Sequence, residues 1–321
     1  MPLDPAIEIL VKQMEAVPKP ARELTIAEKR ARNALLALAM SPNPPLRVSS
    51  IGDDNLAGVP VRVYRPKTTG KVPTVAYFHG GAFVYGDLDT HDEIARRLCR
   101  DLNAVVVSVG YRLAPEYRYP TAHDDCLVVT RWIADHIDEY GGANLAVAGD
   151  SSGANLAAGV ALGFRDEGRP LAGQLLAYPN LDLSHRINYP SYSIYVTGDV
   201  MAPGEAADFA ELYLSSDPTA CDRAPASPLL ATDFTDLAPA VIATAEFDPV
   251  QDECLAYAHA LTTSGVPVTT LVYPGLIHGF LNLEAVSPAA AGAVGEVFGA
   301  FAELINKAVV QEDSRDRSAV A

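Results

Sequence analysis

The chain opens on two stretches, DPAIEILVKQMEAV and TIAEKRARNALLALAM, whose apolar residues recur every three to four positions, the period of one helix face. The proline cluster SPNPP closes this helical segment. Beyond it come short runs rich in β-branched residues: LRVSSI, VPVRVYRP, PTVAYFH, AVVVSVGY, NLAVAGD, GQLLAYP, AVIATAEFD and PVTTLVYP, each predicting a strand. GDDNLAG separates the first two and reads as a hairpin signal. From the third run onward, helix-compatible segments such as THDEIARRLCRDL and DDCLVVTRWIADHIDEY lie between the strands. This alternation predicts an α/β fold with a mostly parallel central sheet of about eight strands, flanked by helices on both faces. In such sheets ligands sit at the carboxyl ends of the strands.

The rhythm breaks over residues 181–238, which hold many prolines, no strand pattern and one helical piece, PGEAADFAELYL. A long insertion of this kind usually serves a purpose. It is expected to form a helical cap together with residues 1–45, over a core divided into residues 46–180 and 239–310. The tail at 311–321, QEDSRDRSAVA, has little to bury and is expected to be disordered.

The chain has 321 residues and 49% hydrophobic residues, enough for a sizeable core. Its 40 acidic against 24 basic residues give a formal charge of −16, a field that repels nucleic acid and anionic membrane surfaces. The first residues carry acids where a signal peptide would be basic, and no uninterrupted apolar run approaches the ~20 residues of a membrane span. Cys99, Cys126, Cys221 and Cys254 are scattered, unlike a zinc site or a disulfide framework. The expectation is a cytoplasmic protein with reduced thiols, no metal and no cofactor. No two glycines are spaced G-x-G and no G-K-S/T occurs, which argues against a nucleotide-binding enzyme.

Candidate chemistry starts at VAGDSSGANLAAG, residues 147–159. Gly149, Ser151 and Gly153 fit G-x-S-x-G, directly after an apolar strand and at the start of a helix-compatible stretch, as a nucleophile elbow requires. The flanking glycines make room for a turn too tight for side chains, and the helix terminus favours developing negative charge. A serine here could also merely cap the helix. Ser152 is expected to act through its backbone N–H.

The partners of such a nucleophile follow in the order acid, then histidine. His278, in YPGLIHGF, lies after the last strand and downstream of Ser151, where a neutral imidazole can accept and return a proton. His91, His123, His136 and His259 fall in helical patterns, His185 lies in the cap, and His79 ends the third strand. For the acid, AVIATAEFDPVQDE offers Asp248, immediately after its strand and before Pro249, with Glu246 as the weaker alternative. Asp252 and Glu253 suit the start of the following helix. Gly81 and Ala82, in YFHGGAFVYGD, are placed to donate backbone N–H groups to an oxyanion alongside Ser152. Losing one such donor typically costs about 2.7–4 kcal/mol of barrier.

With HGGAFVYGD, YRLAPEYRYP, GDSSGANLA, EFDPVQDE and YPGLIHGF in this order over residues 79–280, the chain resembles the hormone-sensitive-lipase-like carboxylesterases (bacterial family IV) of the α/β-hydrolase superfamily. The resemblance implies Ser151 as nucleophile, Asp248 as acid, His278 as base, and Gly81, Ala82 and Ser152 as oxyanion donors, with His79 anchoring its loop. It implies hydrolysis of short-to-medium acyl esters of small molecules without a metal, and a homodimer. Amide cleavage or deacetylation by the same triad, or a non-catalytic small-ligand receptor, are the alternatives. Three positions depart from the family's usual pattern: Ala82 and Ala154 where glycines are common, and Ser152 where alanine is. The G-G-A arrangement further resembles variants that accept bulky alcohols, which implies activity on tertiary-alcohol esters.

Overall fold

In the computed structural model, which describes residues 1–17, 22, 24–193 and 205–319, the apolar runs become one eight-stranded sheet. Its strands are β1 (Ser50–Leu56), β2 (Val59–Arg65), β3 (Val72–Phe78), β4 (Val105–Val109), β5 (Gly142–Asp150), β6 (Gln174–Ala177), β7 (Ala240–Phe247) and β8 (Val268–Ile277). The order is β1-β2-β4-β3-β5-β6-β7-β8, with β2 antiparallel to both neighbours and all pairs from β4 to β8 parallel. The helices are α1 (Pro5–Glu15), α2 (Ile26–Met40), α3 (Asp92–Leu102), α4 (Thr121–Asp135), α5 (Ser152–Asp166), α6 (Glu205–Leu214), α7 (Gln251–Thr263) and α8 (Pro288–Ala319).

The central strands are apolar throughout because both faces are covered. Alternate residues of β3 divide between two cores: Ala76 and Phe78 pack with α4, α5 and α7, whereas Val75 and Tyr77 pack with α1, α3 and α8. Parallel register then brings the carboxyl ends of β3 and β5 to one rim, with Phe78 opposite Gly149. At the far side, β7 and β8 shift register between Ala245 and Phe247, so that Phe247 pairs with Ile277. The residues that follow, Asp248 and His278, therefore leave the sheet side by side.

Two sequence expectations change, at the first hairpin and at the carboxyl-terminal tail. The first strand is not LRVSSI but Ser50–Leu56, and the hairpin turn shrinks to Ala57 and Gly58, both with positive φ. This is an edge strand with six exposed residues, so Asp53, Asp54 and Asn55 are tolerated where a buried strand would reject them. Asp53 instead forms a cross-strand ion pair with its register partner Arg62. The backbone of α8 continues through 311–319, the segment expected to be disordered, as helix to Ala319. Finally, Pro288–Lys307 of this helix is long and apolar enough by composition to cross a bilayer, although no uninterrupted apolar run is present. Its Val294, Val297, Phe298, Phe301 and Ile305 are buried in the core.

Residues 181–238, the insertion expected to form a cap, hold α6 and short 3-10 turns, the helical piece being found at Glu205–Leu214; residues 194–204 of it lie outside those described. Tyr213 of α6 stacks on Phe83 with ring centroids 4.0 Å apart, and Phe209 meets Tyr85 edge-on. From α2, Arg30 donates to the carbonyls of Val84 (2.7 Å) and Ala114 (2.8 Å) and pairs with Glu116. Both α2 and α6 thus bear on the loop after β3.

Candidate active site

Ser151 stands between the end of β5 and the first residue of α5, with φ 52° and ψ −122°. Such a conformation costs about 1–3 kcal/mol for a non-glycine residue and survives only where the surroundings enforce it. Here the enforcement is steric: a Cβ on Gly149 would lie 2.2 Å from the Gly153 carbonyl oxygen, and one on Gly153 would lie 2.0 Å from that of Phe78. The G-x-S-x-G spacing is therefore a demand of the turn itself.

The imidazole of His278 lies between the other two candidate residues. Its Nε2 is 2.9 Å from Ser151 Oγ and its Nδ1 is 3.0 Å from Asp248 Oδ1. Asp248 is fully buried, and the same Oδ1 accepts the Val250 N–H at 3.0 Å. Burial opposes a charged imidazole, but the adjacent Asp248 carboxylate, with help from Asp150 and Glu253, outweighs it and raises His278 above its ordinary value. A base so placed can take the serine proton and keep it through a charged intermediate. Glu246, the alternative acid, spends its carboxylate on the Gly275 N–H (2.9 Å) and the amino group of Met1.

The loop after β3 offers the third component. Within it the Gly80 N–H donates to Asp150 Oδ1 (3.0 Å), the Phe83 N–H to Ser152 Oγ (3.2 Å), and those of Val84 and Tyr85 to the Gly81 carbonyl (3.0 and 2.7 Å). Among the described residues, the amides of Gly81 and Ala82 find no protein acceptor. The amide of Ser152, first in α5, has no intrahelical acceptor either. Gly81, Ala82 and Phe83 all have positive φ (124°, 54° and 62°), the tight turn by which the chain leaves β3. His79 anchors this loop, its Nδ1 donating to the Gly80 carbonyl at 2.8 Å and its ring stacked on Tyr111. Burial, with His91 beside it, pushes the His79 pKa down to about 4, so it stays neutral.

Two carboxylates matter that sequence reasoning did not single out for these roles. Asp150, the variable residue before the nucleophile, is buried; it accepts from Tyr77 Oη (2.7 Å) and Gly80 N–H, with His91 Nε2 3.6 Å away. Burial would raise its pKa, yet His91, Tyr77 and His79 hold it below the usual carboxylate range. Glu253, expected only to open a helix, is fully buried in α7 and accepts the N–H groups of Leu181 (2.6 Å) and Asp182 (2.9 Å) and the hydroxyl of Tyr192 (2.7 Å). Burial is the leading cause of its rise to about 8. It ties the segment at Leu181 and Asp182 to the helix that follows Asp248. A signal existed: Glu253 lies on the same helical face as Tyr257, Ala258 and Leu261, all buried.

Over Ser151 and His278 opens a pocket walled by Phe83, Leu183, Phe209, Ala210 and Val250. Its apolar walls and few polar groups suit a small organic ligand. No cluster able to hold a metal ion occurs among the described residues.

Comparison with known proteins matches the fold. A family model described as the alpha/beta hydrolase fold matches residues 75–282. The chain is 36% identical over 316 residues to carboxylesterase NlhH of Mycobacterium tuberculosis, covering 95% of this chain and 97% of that protein. It is 39% identical over 300 residues to esterase LipI of the same organism, covering 90% and 92%. Among solved structures, a hyperthermophilic esterase from the archaeon Pyrobaculum calidifontis superposes with a TM-score of 0.86 at 34% identity, covering 96% of this chain and 100% of that one.

Proposed function

The chain belongs to the hormone-sensitive-lipase-like carboxylesterases of the α/β-hydrolase superfamily, and on that premise we propose that it cleaves small-molecule esters through a Ser151–His278–Asp248 triad and an acyl-enzyme. The observation that carries the reading is the unbroken hydrogen-bonded sequence from Ser151 Oγ through both imidazole nitrogens to Asp248 Oδ1. Ser151 Oγ attacks the ester carbonyl while His278 Nε2 takes its proton. The carbonyl oxygen becomes an oxyanion held by the amides of Gly81, Ala82 and Ser152. Collapse breaks the bond to the alcohol, which leaves with the proton from His278. Water then repeats the attack and releases the acid.

The confined apolar pocket supports short-to-medium acyl chains. The methyl group of Ala82, which lines the pocket, bears on the proposed acceptance of tertiary-alcohol esters. An imidazole within hydrogen-bond distance of the nucleophile favours catalysis over a ligand receptor. A cytoplasmic location and a homodimer belong to the same reading.

Treatment with a fluorophosphonate is expected to abolish p-nitrophenyl butyrate hydrolysis and to leave one adduct, on the peptide containing Ser151. An inactivated protein without that adduct overturns the assignment. The rate carries a second signature. Protonated His278 cannot act as base, and its pKa is raised, so activity is lost as pH falls through a value above 6.5. A profile of kcat/KM that stays flat roughly between pH 5 and 8 would remove His278 from the mechanism.

A further inference from the structure

Residue 152 enters the proposed mechanism through its backbone amide, a role any side chain would fill. Its side chain is nevertheless a hydroxyl, 1% exposed. That hydroxyl accepts the Phe83 N–H at 3.2 Å. Separately, the Tyr111 hydroxyl donates to the His79 carbonyl at 2.6 Å. His79 and Phe83 are the two ends of the segment containing Gly81 and Ala82. One hydroxyl therefore holds each end of that segment, Tyr111 at His79 and Ser152 at Phe83, while Asp150, on the other side of the nucleophile, fixes the Gly80 amide.

We propose that the Ser152 hydroxyl is a positioning residue of the oxyanion site, holding the amides of Gly81 and Ala82 at the geometry the tetrahedral intermediate needs. The proposal rests on the acyl-transfer reading above. Its physical basis is backbone strain. Ala82 and Phe83 occupy the left-handed region consecutively, without being glycine, and such a turn relaxes unless something outside it holds it. The Phe83 amide is where it is held from the nucleophile's side, and the stacked Tyr213 ring holds the Phe83 side chain from α6. Release of the amide leaves substrate binding in the apolar pocket unaffected and misplaces only the donors that meet developing charge.

Two comparisons test this. Ser152→Ala is expected to lower kcat for p-nitrophenyl butyrate by roughly 10- to 100-fold, the scale on which small misplacements act, with KM within about twofold. It should weaken a trifluoromethyl ketone inhibitor, which forms an oxyanion on Ser151, by the same factor. Ser152→Thr against Ser152→Val carries the test if the alanine variant folds poorly, because the pair differs only in the hydroxyl: threonine should exceed valine at least tenfold in kcat. Loss confined to KM, equal inhibitor affinity in parent and Ser152→Ala, or equal rates for the threonine and valine variants overturns the proposal. Parent protein that binds the trifluoromethyl ketone no better than the matching methyl ketone instead overturns the acyl-transfer reading beneath it.

Discussion

Ser151→Ala is expected to lower kcat for p-nitrophenyl butyrate by on the order of 10⁶-fold, the cost of deleting the nucleophile from a triad whose members act as a unit. The residual rate comes from whatever the oxyanion amides and the pocket contribute without covalent chemistry. No neighbour can substitute. The hydroxyl of Ser152 is buried and already bonded to Phe83, and Ser151 is the serine within reach of His278 Nε2. The substitution keeps the Cβ that the left-handed backbone at φ 52° already accommodates, so stability should change by no more than about 1 kcal/mol. Release of p-nitrophenolate at saturating substrate, together with a thermal melt, measures both quantities. A folded variant retaining more than a few per cent of the parent rate would falsify the assignment of the nucleophile.

The elements that place this serine are those the amino-acid pattern announces, because their causes are local. Buried parallel strands must be apolar on both faces, and β3 and β5 are written that way. The elbow needs glycines at two fixed offsets because backbone atoms lie within 2.2 Å of where a Cβ would go. Chain order together with position after a strand favours His278 among seven histidines and Asp248 over Glu246, and the sheet brings His278 and Asp248 together. Edge strand β1 escapes the same logic, since an exposed strand need not be apolar and its aspartates read as a turn.

Harder to read are the residues whose work depends on partners from several segments. Asp150 occupies a variable position in its motif, yet it joins Tyr77, Gly80 and His91. Nothing local distinguishes it from a solvated aspartate. Arg30 looks like one more charge on a polar helix, but its guanidinium binds the carbonyl of Val84 on the loop that bears the candidate oxyanion donors. Glu253 was legible in part, through its place on an apolar helix face, but its acceptor role needs the backbone of Leu181 and Asp182, some 70 residues away in the chain. The helical amino terminus and the insertion thus act on the site through contacts that only the folded chain creates.

Asp248→Asn is the more searching substitution, because it leaves the nucleophile, the base and nearly all shape intact. It is expected to lower kcat by about 10⁴-fold. The carboxylate accepts from His278 Nδ1 and so keeps Nε2 free to receive the serine proton. An amide can instead present N–H to Nδ1, which stabilises the opposite tautomer, with the proton already on Nε2. The same change removes the carboxylate that raises His278 above its ordinary value, and burial, the largest influence on that imidazole, then dominates. The sign follows: the acid limb of kcat/KM, above 6.5 in the parent, should move to lower pH in the variant even as the maximum rate collapses. A pH series on the parent and the variant reads both effects. A variant within tenfold of the parent, or an acid limb that stays in place, would mean that another group orients the imidazole.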